Sequence, residues 1–538
     1  DWALRGVGDV TGDGTADIVW QHVSGQVHYW SMQGGQRTGG VNVATPVGND
    51  WALRGVGDVT GLGEAVGQRK SVNALTASEL MSLRRGVAQM MAWNNAPRDS
   101  TDFRRSWVYW ANMHAHFGAD CAGPITGSGM AGVQTFTASN ASETATWCRC
   151  EHGTEPFLTW HRMYLWYFER VLQAAAGDPS LRLPYWDYAT DPTLPAAYRD
   201  PTYVNEAGQT VANPLRAQAR QPGLNAGSAG LSPAVRSASG AMTRTTYSSF
   251  NGALELTPHG AVHCALVTGG CPNGLMGAVP ASALDPIFYT HHTNIDRLYE
   301  CWLRVNEAAR LPSAPAHLNT QFTFVDADGS TPQRRVSDML RLSQLGYSYA
   351  EGGDCPAVAA VAVAAGGANV SDDNPAASAG EQSIELAGPT RLERGVTTVR
   401  LNVPPTARER LSARATPSAG RRVYVVIEGL TFDDGPGVLY NVYLAGDGGR
   451  REQIGVINFF NFTTPRAGAH AGHDSSAGRY TFDATDAVQR LSLDAAAQPS
   501  LVFEPTTGLT DSSPEAAAAQ ISPQANARFD RAQTVTAP

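Results

Sequence analysis

The stretch CEHGTEPFLTWHRMYLWYFE, from Cys150 to Glu169, decides how this part of the chain folds. Its second half predicts a helix, because apolar residues and one histidine recur at helical spacing and therefore share a face. That face consists of His161, Tyr164, Leu165, Phe168 and Leu172. Cys148, Cys150 and His152 come just before the predicted helix. With His161 they form a dense set of potential ligands, which a zinc knuckle, a disulfide anchor and a catalytic metal site would each use in part.

The size and charge of the chain narrow its class. At 538 residues it exceeds the usual size of one hydrophobic core, so two or three domains are expected. With 42% hydrophobic and 17% charged residues it is typical of a globular protein. The net charge of -9 gives no sign of a nucleic-acid groove or an anionic membrane surface as partner. No apolar run reaches the roughly 18 residues of a membrane-spanning helix. The chain begins at Asp1 without methionine or an apolar leader, which fits a processed or fragmentary chain.

The seven cysteines are an odd number in a chain rich in loops. Six of them would form three disulfides in a secreted or otherwise exported protein, and one would be left over. They are Cys121, Cys148, Cys150, Cys264, Cys271, Cys301 and Cys355. We therefore expect export, and the leftover cysteine needs a separate role.

A repeat opens the chain, because DWALRGVGDVTG occurs at 1–12 and again at 50–61. In the first occurrence Asp9, Asp13 and Asp17 are spaced like the oxygen ligands of a calcium loop, and the segment resembles the FG-GAP repeat of β-propeller blades. One blade and a fragment are too little to close a propeller, so an accessory segment is the expectation. A calcium-dependent adhesion module is a further hypothesis, which rests on these three aspartates alone.

The periodicity changes twice along the chain. From Ser71 the pattern is helical, beginning with a capping box at Thr76 and Glu79, and from Ser383 short alternating strands separated by Gly, Pro and Asp turns predict an antiparallel β-sandwich. We predict a multidomain fold in which a mainly α-helical domain precedes this sandwich. The predicted segments are the repeat at 1–62, the helical domain at 63–353, an Ala/Gly-rich linker at 354–382 and the sandwich at 383–538.

Two more stretches carry histidines. In ELTPHGAVHCAL, His259 and His263 lie four residues apart, so on a helix they would project from one face. In DPIFYTHHTNIDRLYECW, His292 falls on the apolar stripe of a predicted helix, and Asp296 one turn later would orient an imidazole. His291 faces about 100° away, so we do not expect both neighbours to bind one ion. The HExxH arrangement of a zinc metalloprotease is missing from the sequence.

These motifs together resemble the type 3 copper proteins, which are tyrosinases, catechol oxidases and molluscan haemocyanins. CEHGTEPFLTWHRMYLWYFE looks like their first copper motif, and PHGAVH with DPIFYTHHTNIDRLYECW looks like their second. The likeness extends to LGYSY, where Tyr347 and Tyr349 resemble the family's tyrosine motif. The strands that follow look like the shielding domain of latent plant and fungal enzymes. The resemblance implies a four-helix bundle that holds two copper ions.

The family's ligand pattern implies three histidines for each copper. One set would be His152 and His161 with a histidine from the preceding helix, and the other would be His259, His263 and His292. In YWANMHAHFG the candidates for the missing ligand are His114 and His116. We prefer His114, because it shares a helix face with Trp107 and Trp110 and because ANMH resembles the plant enzymes, while His116 is the alternative.

Three-histidine sets suit this chemistry, since neutral imidazole binds copper in both oxidation states and leaves an open position on each metal. The resemblance implies an oxidoreductase that uses O2 to convert o-diphenols to o-quinones, and that also hydroxylates monophenols. The alternative is a reversible oxygen carrier similar to haemocyanin. A single such unit in this chain argues against a carrier, because molluscan carriers are long tandem arrays.

The resemblance also gives the cysteines their roles. Cys150, two residues before His152, would be joined to that histidine by a thioether, as in fungal tyrosinases and molluscan haemocyanins. The remaining six would pair as Cys121 with Cys148, Cys264 with Cys271 and Cys301 with Cys355. This pairing follows proximity and the family pattern, out of fifteen that six cysteines allow.

Analogy with the family suggests residues that control the site. Glu255 would order a water and accept a proton from the phenol, or else it is an exposed glutamate at a helix start. The small Val279 would leave the site open to monophenols, whereas Gly260 stands where strong monophenolases often have asparagine. The shielding domain would insert one side chain, and the candidates in INFFNF are Phe459, Phe460 and Phe462.

Overall fold

The computed structural model describes most of the central region and parts of the two ends. The described residues are 2–8, 17–22, 24, 26–33, 36–43, 67–350, 355, 383–403, 422–446, 449–461, 478–491 and 499–537. They divide into two compact units, one formed by Asp1–Arg69 with Leu345–Tyr349 and the other by Lys70–Gln344 with Ala350–Pro538. The division into four segments that we predicted from the sequence stays a prediction.

The first unit contains a four-stranded antiparallel sheet. Its strands, in spatial order, are Trp2–Gly8, Asp17–His22, Val27–Trp30 and Val41–Val43. A short hairpin joins Met32–Gln33 to Gln36–Arg37, and Gly67–Arg69 pairs in parallel with Tyr347–Tyr349. Asp9 and Asp13 lie outside the described residues, so the predicted calcium loop stays untested.

Six helices or helical segments of the second unit position the candidate site. They are α1 (Ala77–Ala92), α2 (Trp107–His114), α3 (Phe157–Ala176), α4 (Tyr247–Leu254), α5 (Ala261–Ala265) and α6 (Ile287–Leu303). The predicted capping box starts α1, since Thr76 accepts from the Glu79 N–H and Glu79 accepts from the Thr76 N–H. Gly177 ends α3 in the left-handed region, at φ 62°.

A π-helical segment, Glu255–Gly260, connects α4 to α5 and differs from the regular helix that we predicted around His259. Thr257 has extended backbone angles, φ -146° and ψ 123°, and Pro258 follows it. A proline restricts the residue before it to extended angles, which explains the kink at Thr257. The i, i+4 argument therefore applies only to the part of the segment beyond Pro258.

Close packing and a buried ion pair join the helices around the site. A Cβ on Gly86 of α1 would lie 2.9 Å from the Leu172 carbonyl of α3, so glycine is needed for this approach. Arg162 of α3 donates from Nε to Oδ1 of Asp296 on α6, at 2.5 Å, and both side chains are buried. The ion pair joins the two helices that carry His161 and His292, and the glycine contact joins α1 to the first of them.

The remaining helices of this unit are short. They are Thr101–Arg104, Ala141–Thr146, Ala196–Arg199, Pro222–Ala226, Pro233–Arg236, Ser239–Met242, Gly274–Gly277, Val279–Ser282, Glu307–Arg310, Pro315–Asn319, Leu342–Leu345, Thr485–Leu491 and Pro514–Ala518, with 3-10 turns at Val72–Ala74, Trp93–Asn95 and Val336–Met339. Short antiparallel pairs join Thr202–Val204 to Thr210–Ala212 and Gln321–Thr323 to Gln333–Arg335. No described helix is long and apolar enough to cross a membrane.

Two four-stranded antiparallel sheets form the last part of the chain. One has the order Ser383–Ala387, Arg531–Ala537, Arg422–Glu428 and Tyr480–Asp483. The other has the order Thr397–Arg400, Ser500–Thr506, Leu439–Ala445 and Arg451–Ile457. Thr390–Arg391 and Arg528–Phe529 make a small further pair. A mainly helical part followed by antiparallel sheets agrees with the predicted fold class, and the four-helix bundle and two-layer sandwich stay predictions.

The β part packs directly against the helical part within the second unit. The Ser232 N–H donates to the Gly508 carbonyl at 2.8 Å, and the Thr510 N–H donates to the Gly230 carbonyl at 2.8 Å. A Cβ on Gly270 would lie within 2.9 Å of the Gly437 carbonyl oxygen, so the two backbones touch there. Backbone contact of this kind fixes where the loops of the β part lie relative to the helices.

Candidate metal centre

Six buried histidines from separate segments meet inside the helical part. They are His114 at the end of α2, His152 before α3, His161 on α3, His259 in the π-helical segment, His263 on α5 and His292 on α6. All six were predicted as metal ligands from the sequence. The structure brings them together from positions as much as 178 residues apart in sequence, by the difference between 292 and 114.

The first three histidines form one group. Their ring centroids are separated by 5.1 Å between His114 and His152, 5.7 Å between His114 and His161, and 5.3 Å between His152 and His161. Candidate ligand atoms of His114, His152 and Cys150 lie within 4.8 Å of one another. The three rings therefore adjoin one another, and two of the imidazoles and the Cys150 thiol form the compact set of ligand atoms.

The other three histidines form a second group. The ring of His259 lies 4.7 Å from that of His263 and 4.9 Å from that of His292. The Nε2 atoms of His263 and His292 are 3.3 Å apart, so a single ion would reach both. The two groups adjoin, because the rings of His161 and His292 are stacked at 4.5 Å with an interplanar angle of 10°.

Backbone carbonyls orient four of the six imidazoles through Nδ1. The contacts are His114 to Val279 at 3.2 Å, His161 to Phe157 at 2.8 Å, His259 to Glu255 at 3.0 Å and His263 to Met276 at 2.7 Å. A carbonyl only accepts, so these contacts place the ring proton on Nδ1 and leave the Nε2 lone pair for a metal. Within the described residues, Nε2 of His161 and of His259 has no hydrogen-bond partner.

Burial keeps the rings of His161, His259, His263 and His292 neutral. It lowers the pKa of His161 to about 3, and it lowers the pKa of His259, His263 and His292 well below the ordinary value, with neighbouring histidines adding to the effect. Metal binding needs the neutral form. The residues therefore fit two copper ions: the donors are imidazole nitrogens, they are buried, and in two of them the coordinating atom has no other described partner.

The two candidates at and just after the end of α2 separate clearly. His114 lies in the first group, whereas Nε2 of His116 contacts Oδ1 of Asp120 at 3.1 Å and its ring lies 5.4 Å from that of Trp147. The helix ends at His114, so His116 follows the turn of the chain away from it. This placement favours His114 as the ligand, as we preferred from the sequence.

The predicted role of Asp296 is corrected by the structure. Asp296 accepts from Arg162, and Nδ1 of His292 has no hydrogen-bond partner among the described residues. Asp296 therefore does not orient His292, and carbonyl groups hold the four imidazoles described above. The Asp296 carboxylate instead balances the charge of the Arg162 guanidinium, which would be costly to bury alone.

His291 also lies closer to the site than its helix angle suggested. Its ring centroid is 5.0 Å from that of His263 and 5.7 Å from that of His259, and its ligand atoms group with those of His259, His263 and His292. On the opposite side its ring is 5.9 Å from that of Tyr188. It is a fourth imidazole beside the second group, where we had expected a residue outside it.

The cysteines adopt the predicted arrangement. The disulfides are Cys121–Cys148, Cys264–Cys271 and Cys301–Cys355, and within the described chain Cys150 is the free cysteine. The Cys150 side chain is buried, and burial raises the pKa of its thiol. The structure places this thiol beside His152, where the predicted thioether requires it.

Glu255 belongs to the π-helical segment, yet its carboxyl group lies beside Gly153, in the stretch before α3. Its Oε1 accepts from the Gly153 N–H at 2.6 Å, next to His152. Burial raises the pKa of Glu255 to about 8, the Gly153 N–H opposes that shift, and the charge of Glu151 adds to it. The side chain is half-buried by its surface, and a pKa in this range is compatible with proton transfer near neutral pH.

The two positions predicted to control access have contacts of their own. Val279 is half-buried, and its carbonyl orients His114. Gly260 is buried, and a Cβ there would lie 2.7 Å from Oδ1 of Asn458 and 3.3 Å from Cβ of Phe460. Gly260 therefore faces the β part.

One of the three candidate plug residues covers the histidines. The Phe460 ring is stacked on His263 with centroids 4.0 Å apart, and it meets His259 at 5.4 Å and His152 at 5.8 Å. Phe459 instead packs at 5.5 Å from Phe432 inside the β part. Phe462 lies outside the described residues.

Sequence reasoning missed the groups that hold these side chains in place. The carbonyls of Met276 and Val279 have no side-chain signal, and they come from two short helices, Gly274–Gly277 and Val279–Ser282. Asn458 precedes the two phenylalanines and gave no reason for selection, although it contacts the π-helical segment. Only the folded chain shows which backbone atoms face an imidazole.

Comparisons with known proteins agree with this site. Residues 104–228 and 228–305 match the family model of the common central domain of tyrosinase. A tyrosinase from Hahella sp. is 34% identical over 230 residues, covering 38% of this chain and 48% of that protein. Chloroplastic catechol oxidase B from Solanum tuberosum is 29% identical over 231 residues, covering 37% of this chain and 38% of that protein. The chain thus covers less than half the length of these two relatives.

The fold resembles solved structures over a longer span. A recombinant latent aurone synthase, a polyphenol oxidase, matches with a TM-score of 0.55 at 16% identity, covering 88% of this chain and 90% of that one. The same enzyme from its natural source matches with a TM-score of 0.55 at 17% identity, covering 88% and 89%. At this identity the likeness concerns the fold alone.

Proposed function

Residues 104–305 of this chain form a type 3 copper domain of the tyrosinase family, and from this premise we propose that the protein is a dicopper polyphenol oxidase. It would use O2 to oxidise o-diphenols to o-quinones. The observation that carries the proposal is the pair of adjoining groups of three buried histidines. The relatives named tyrosinase and catechol oxidase support the same reaction class.

Two copper ions would be held by the six histidines. His114, His152 and His161 would bind one ion, and His259, His263 and His292 would bind the other. Bound copper would supply the redox chemistry that couples oxidation of the diphenol to reduction of O2. The protein supplies neutral, rigidly oriented imidazoles in a buried site from which most water is excluded.

Glu255 is the proposed proton acceptor. Its carboxyl group lies beside the Gly153 N–H at the edge of the first histidine group, and its raised pKa suits proton transfer near neutral pH. The Glu255 carboxylate would take the hydroxyl proton of the phenol, directly or through a water. Hydroxylation of monophenols is a further proposal, supported by the moderate size of Val279 and by this base.

The full chain is proposed to be latent. The Phe460 ring lies against three of the proposed ligands and is only 4% exposed, so an incoming phenol has to displace it. A phenylalanine that stacks on an imidazole occupies the place where an aromatic substrate would approach. Activity would then rise when this loop moves away.

Cys150 and His152 are proposed to form a thioether. The bond between sulfur and a ring carbon replaces one S–H and one C–H bond, so two hydrogen atoms are lost to an oxidant such as O2. Reduced and alkylated protein would give a peptide about 2 Da lighter than the thiol form. Reduction comes first, because one disulfide removes the same mass.

Export is proposed as well, supported by the three disulfides, which form and persist in oxidising compartments. The predicted calcium site at Asp9, Asp13 and Asp17 stays a hypothesis. Calcium-induced folding of this segment, followed by circular dichroism, would be its first support.

The test of the main proposal is oxygen uptake by the copper-loaded full chain with catechol, run beside quinone absorbance. The same assay is run on Phe460→Ala, because a closed site would hide activity in the wild-type chain. Uptake with quinone formation in either protein supports the oxidase. Reversible oxygen binding without turnover in both would support the carrier alternative, and no reaction with O2 in two proteins that hold copper would overturn both.

A further inference from the structure

Asn458 lies buried where the β part meets the π-helical segment. It directly follows the strand Arg451–Ile457 and is 1% exposed. Its Nδ2 donates to the Leu256 carbonyl at 2.8 Å, and this contact joins the β part to the segment that carries His259. A buried amide with a bond across two parts of a protein fixes their relative position more strictly than apolar packing does.

The other polar atoms of Asn458 shape its own loop. Its Oδ1 accepts from the Phe460 N–H at 3.1 Å, so the same side chain that binds the helical part also sets the backbone of Phe460. Its N–H donates to the Tyr480 hydroxyl at 3.1 Å, and that hydroxyl donates to its carbonyl at 2.7 Å. One side chain thus connects Leu256 on one side with Phe460 on the other.

Gly260 provides the space for this contact. Its φ of -64° is ordinary for any residue, so conformational freedom is not the reason for a glycine there. A Cβ would lie 2.7 Å from Oδ1 of Asn458, which is closer than real Cβ contacts. The Asn458 amide therefore occupies the volume that a side chain at position 260 would fill.

We propose that Asn458 and Gly260 form a latch that holds Phe460 over the histidine cluster, with Asn458 as the positioning residue and Gly260 as its receptor. This inference rests on the proposed function and deepens it, since the latch controls access of phenols to the same site. It also gives Gly260 a role different from the one its sequence position suggested. The glycine admits the Asn458 amide, and a residue with a side chain there would push the loop away.

Two substitutions at Asn458 separate the latch from a simple turn-forming role. Asn458→Ala removes both side-chain contacts. Asn458→Asp keeps an oxygen for the Phe460 N–H and loses the donor to the Leu256 carbonyl. A latch predicts that both variants open the site, whereas a turn-forming residue predicts that the aspartate variant behaves like wild type. Asn402→Ala, at an exposed position of the same β part, is the matched control.

The first measurement needs neither copper nor activity. Hydrogen exchange of the metal-free full chain, followed by mass spectrometry, reports on peptides that span 456–461 and 255–263. One hydrogen bond is worth about fivefold to tenfold in an opening equilibrium, so Asn458→Asp is expected to exchange faster by about that factor in both peptides. Asn458→Ala loses two bonds and is expected to exchange faster still. Unchanged exchange relative to Asn402→Ala would overturn the latch.

The second measurement uses the copper-loaded full chain. The rate of catechol oxidation below saturation is expected to rise about fivefold to tenfold in Asn458→Asp and by more than that in Asn458→Ala. The affinity for azide, a much smaller ligand than a phenol, is expected to stay within twofold in both variants. Equal rates in wild type and both variants, with Phe460→Ala active, would overturn the latch and leave the oxidase intact. If no variant oxidises catechol, the proposed function fails and hydrogen exchange alone decides the latch.

Gly260→Ala completes a double-mutant cycle read by hydrogen exchange. Alone, it is expected to speed exchange of 456–461, because its methyl group meets the Asn458 amide. Combined with Asn458→Ala it is expected to add little, since the group it meets is gone. Additive effects of the two substitutions would contradict a direct contact between these positions.

Discussion

Truncation of Phe460 offers the sharpest test of the closed site. In the closed state its side chain is buried, its face lies on His263 at 4.0 Å, and its edges meet His259 and His152. Burial of a phenylalanine side chain is worth about 1.5–3 kcal/mol, and ring contacts add about 0.5–1.5 kcal/mol. Loss of about 2–4.5 kcal/mol would shift the closed-to-open ratio by roughly 30-fold to 2000-fold.

The expected result for Phe460→Ala is therefore an increase of at least about 30-fold in the catechol oxidation rate at low substrate. Initial oxygen uptake by the copper-loaded full chain measures it, with copper content determined on the same samples. Phe503→Ala is the control, because Phe503 is fully buried in the β part and packs against Phe529 at 5.5 Å. It should lower thermal stability without a comparable increase in rate.

A Phe460→Ala variant that keeps its full copper content and a catechol oxidation rate within twofold of wild type would refute the closed site. An equal increase in Phe503→Ala would also refute it, because general loosening of the β part would then explain the activity. A larger increase at low than at saturating catechol would support competition between the ring and the substrate for one place.

Three further predictions follow from single contacts. His114→Ala should bind about one copper per chain and His116→Ala about two, since only His114 lies in the first group. Atomic absorption measures the copper content, and an equal loss of copper in both variants would contradict the assignment. Asp285→Ala should lower the free energy of unfolding in urea by about 3–5 kcal/mol, because it leaves the buried Arg220 without its bidentate carboxylate. A decrease under about 1 kcal/mol would contradict this prediction. Burial lowers the pKa of His317 to about 4, so between pH 6.5 and 4 the unfolded chain binds more protons than the folded chain, and stability falls as the pH falls. In His317→Gln the thermal midpoint should depend less on pH across this range. Equal slopes of thermal midpoint against pH in wild type and His317→Gln would contradict this prediction.

Local patterns predicted the elements that carry the histidines. The apolar stripe through His161 gave α3, and the run from Ile287 gave α6 with His292 buried. The capping box at Thr76 and Glu79 gave the start of α1. Such signals lie within one or two turns of a helix, and they survive folding because the core side of a helix is set by its own periodicity.

Contacts between distant segments could not be predicted from local sequence patterns. The choice between His114 and His116 depends on where α2 ends and on Asp120, and Asp296 was misjudged because its partner, Arg162, comes from another helix. In each case the deciding atom belongs to a segment that the local pattern does not include.

The sequence by itself determined the type of site, because the number, type and spacing of the six histidines and the leftover cysteine do not depend on how the chain packs. It also determined that helices carry most of them and that strands follow. The tertiary structure alone decided which carbonyls fix the Nδ1 protons, which phenylalanine lies over the imidazoles, and why position 260 holds a glycine. Residue types and periodicity set the chemistry that is present, whereas orientation and access depend on the meeting of segments such as 255–260 and 457–461. Those segments lie about two hundred residues apart, and only the folded backbone brings Asn458 within 2.8 Å of the Leu256 carbonyl.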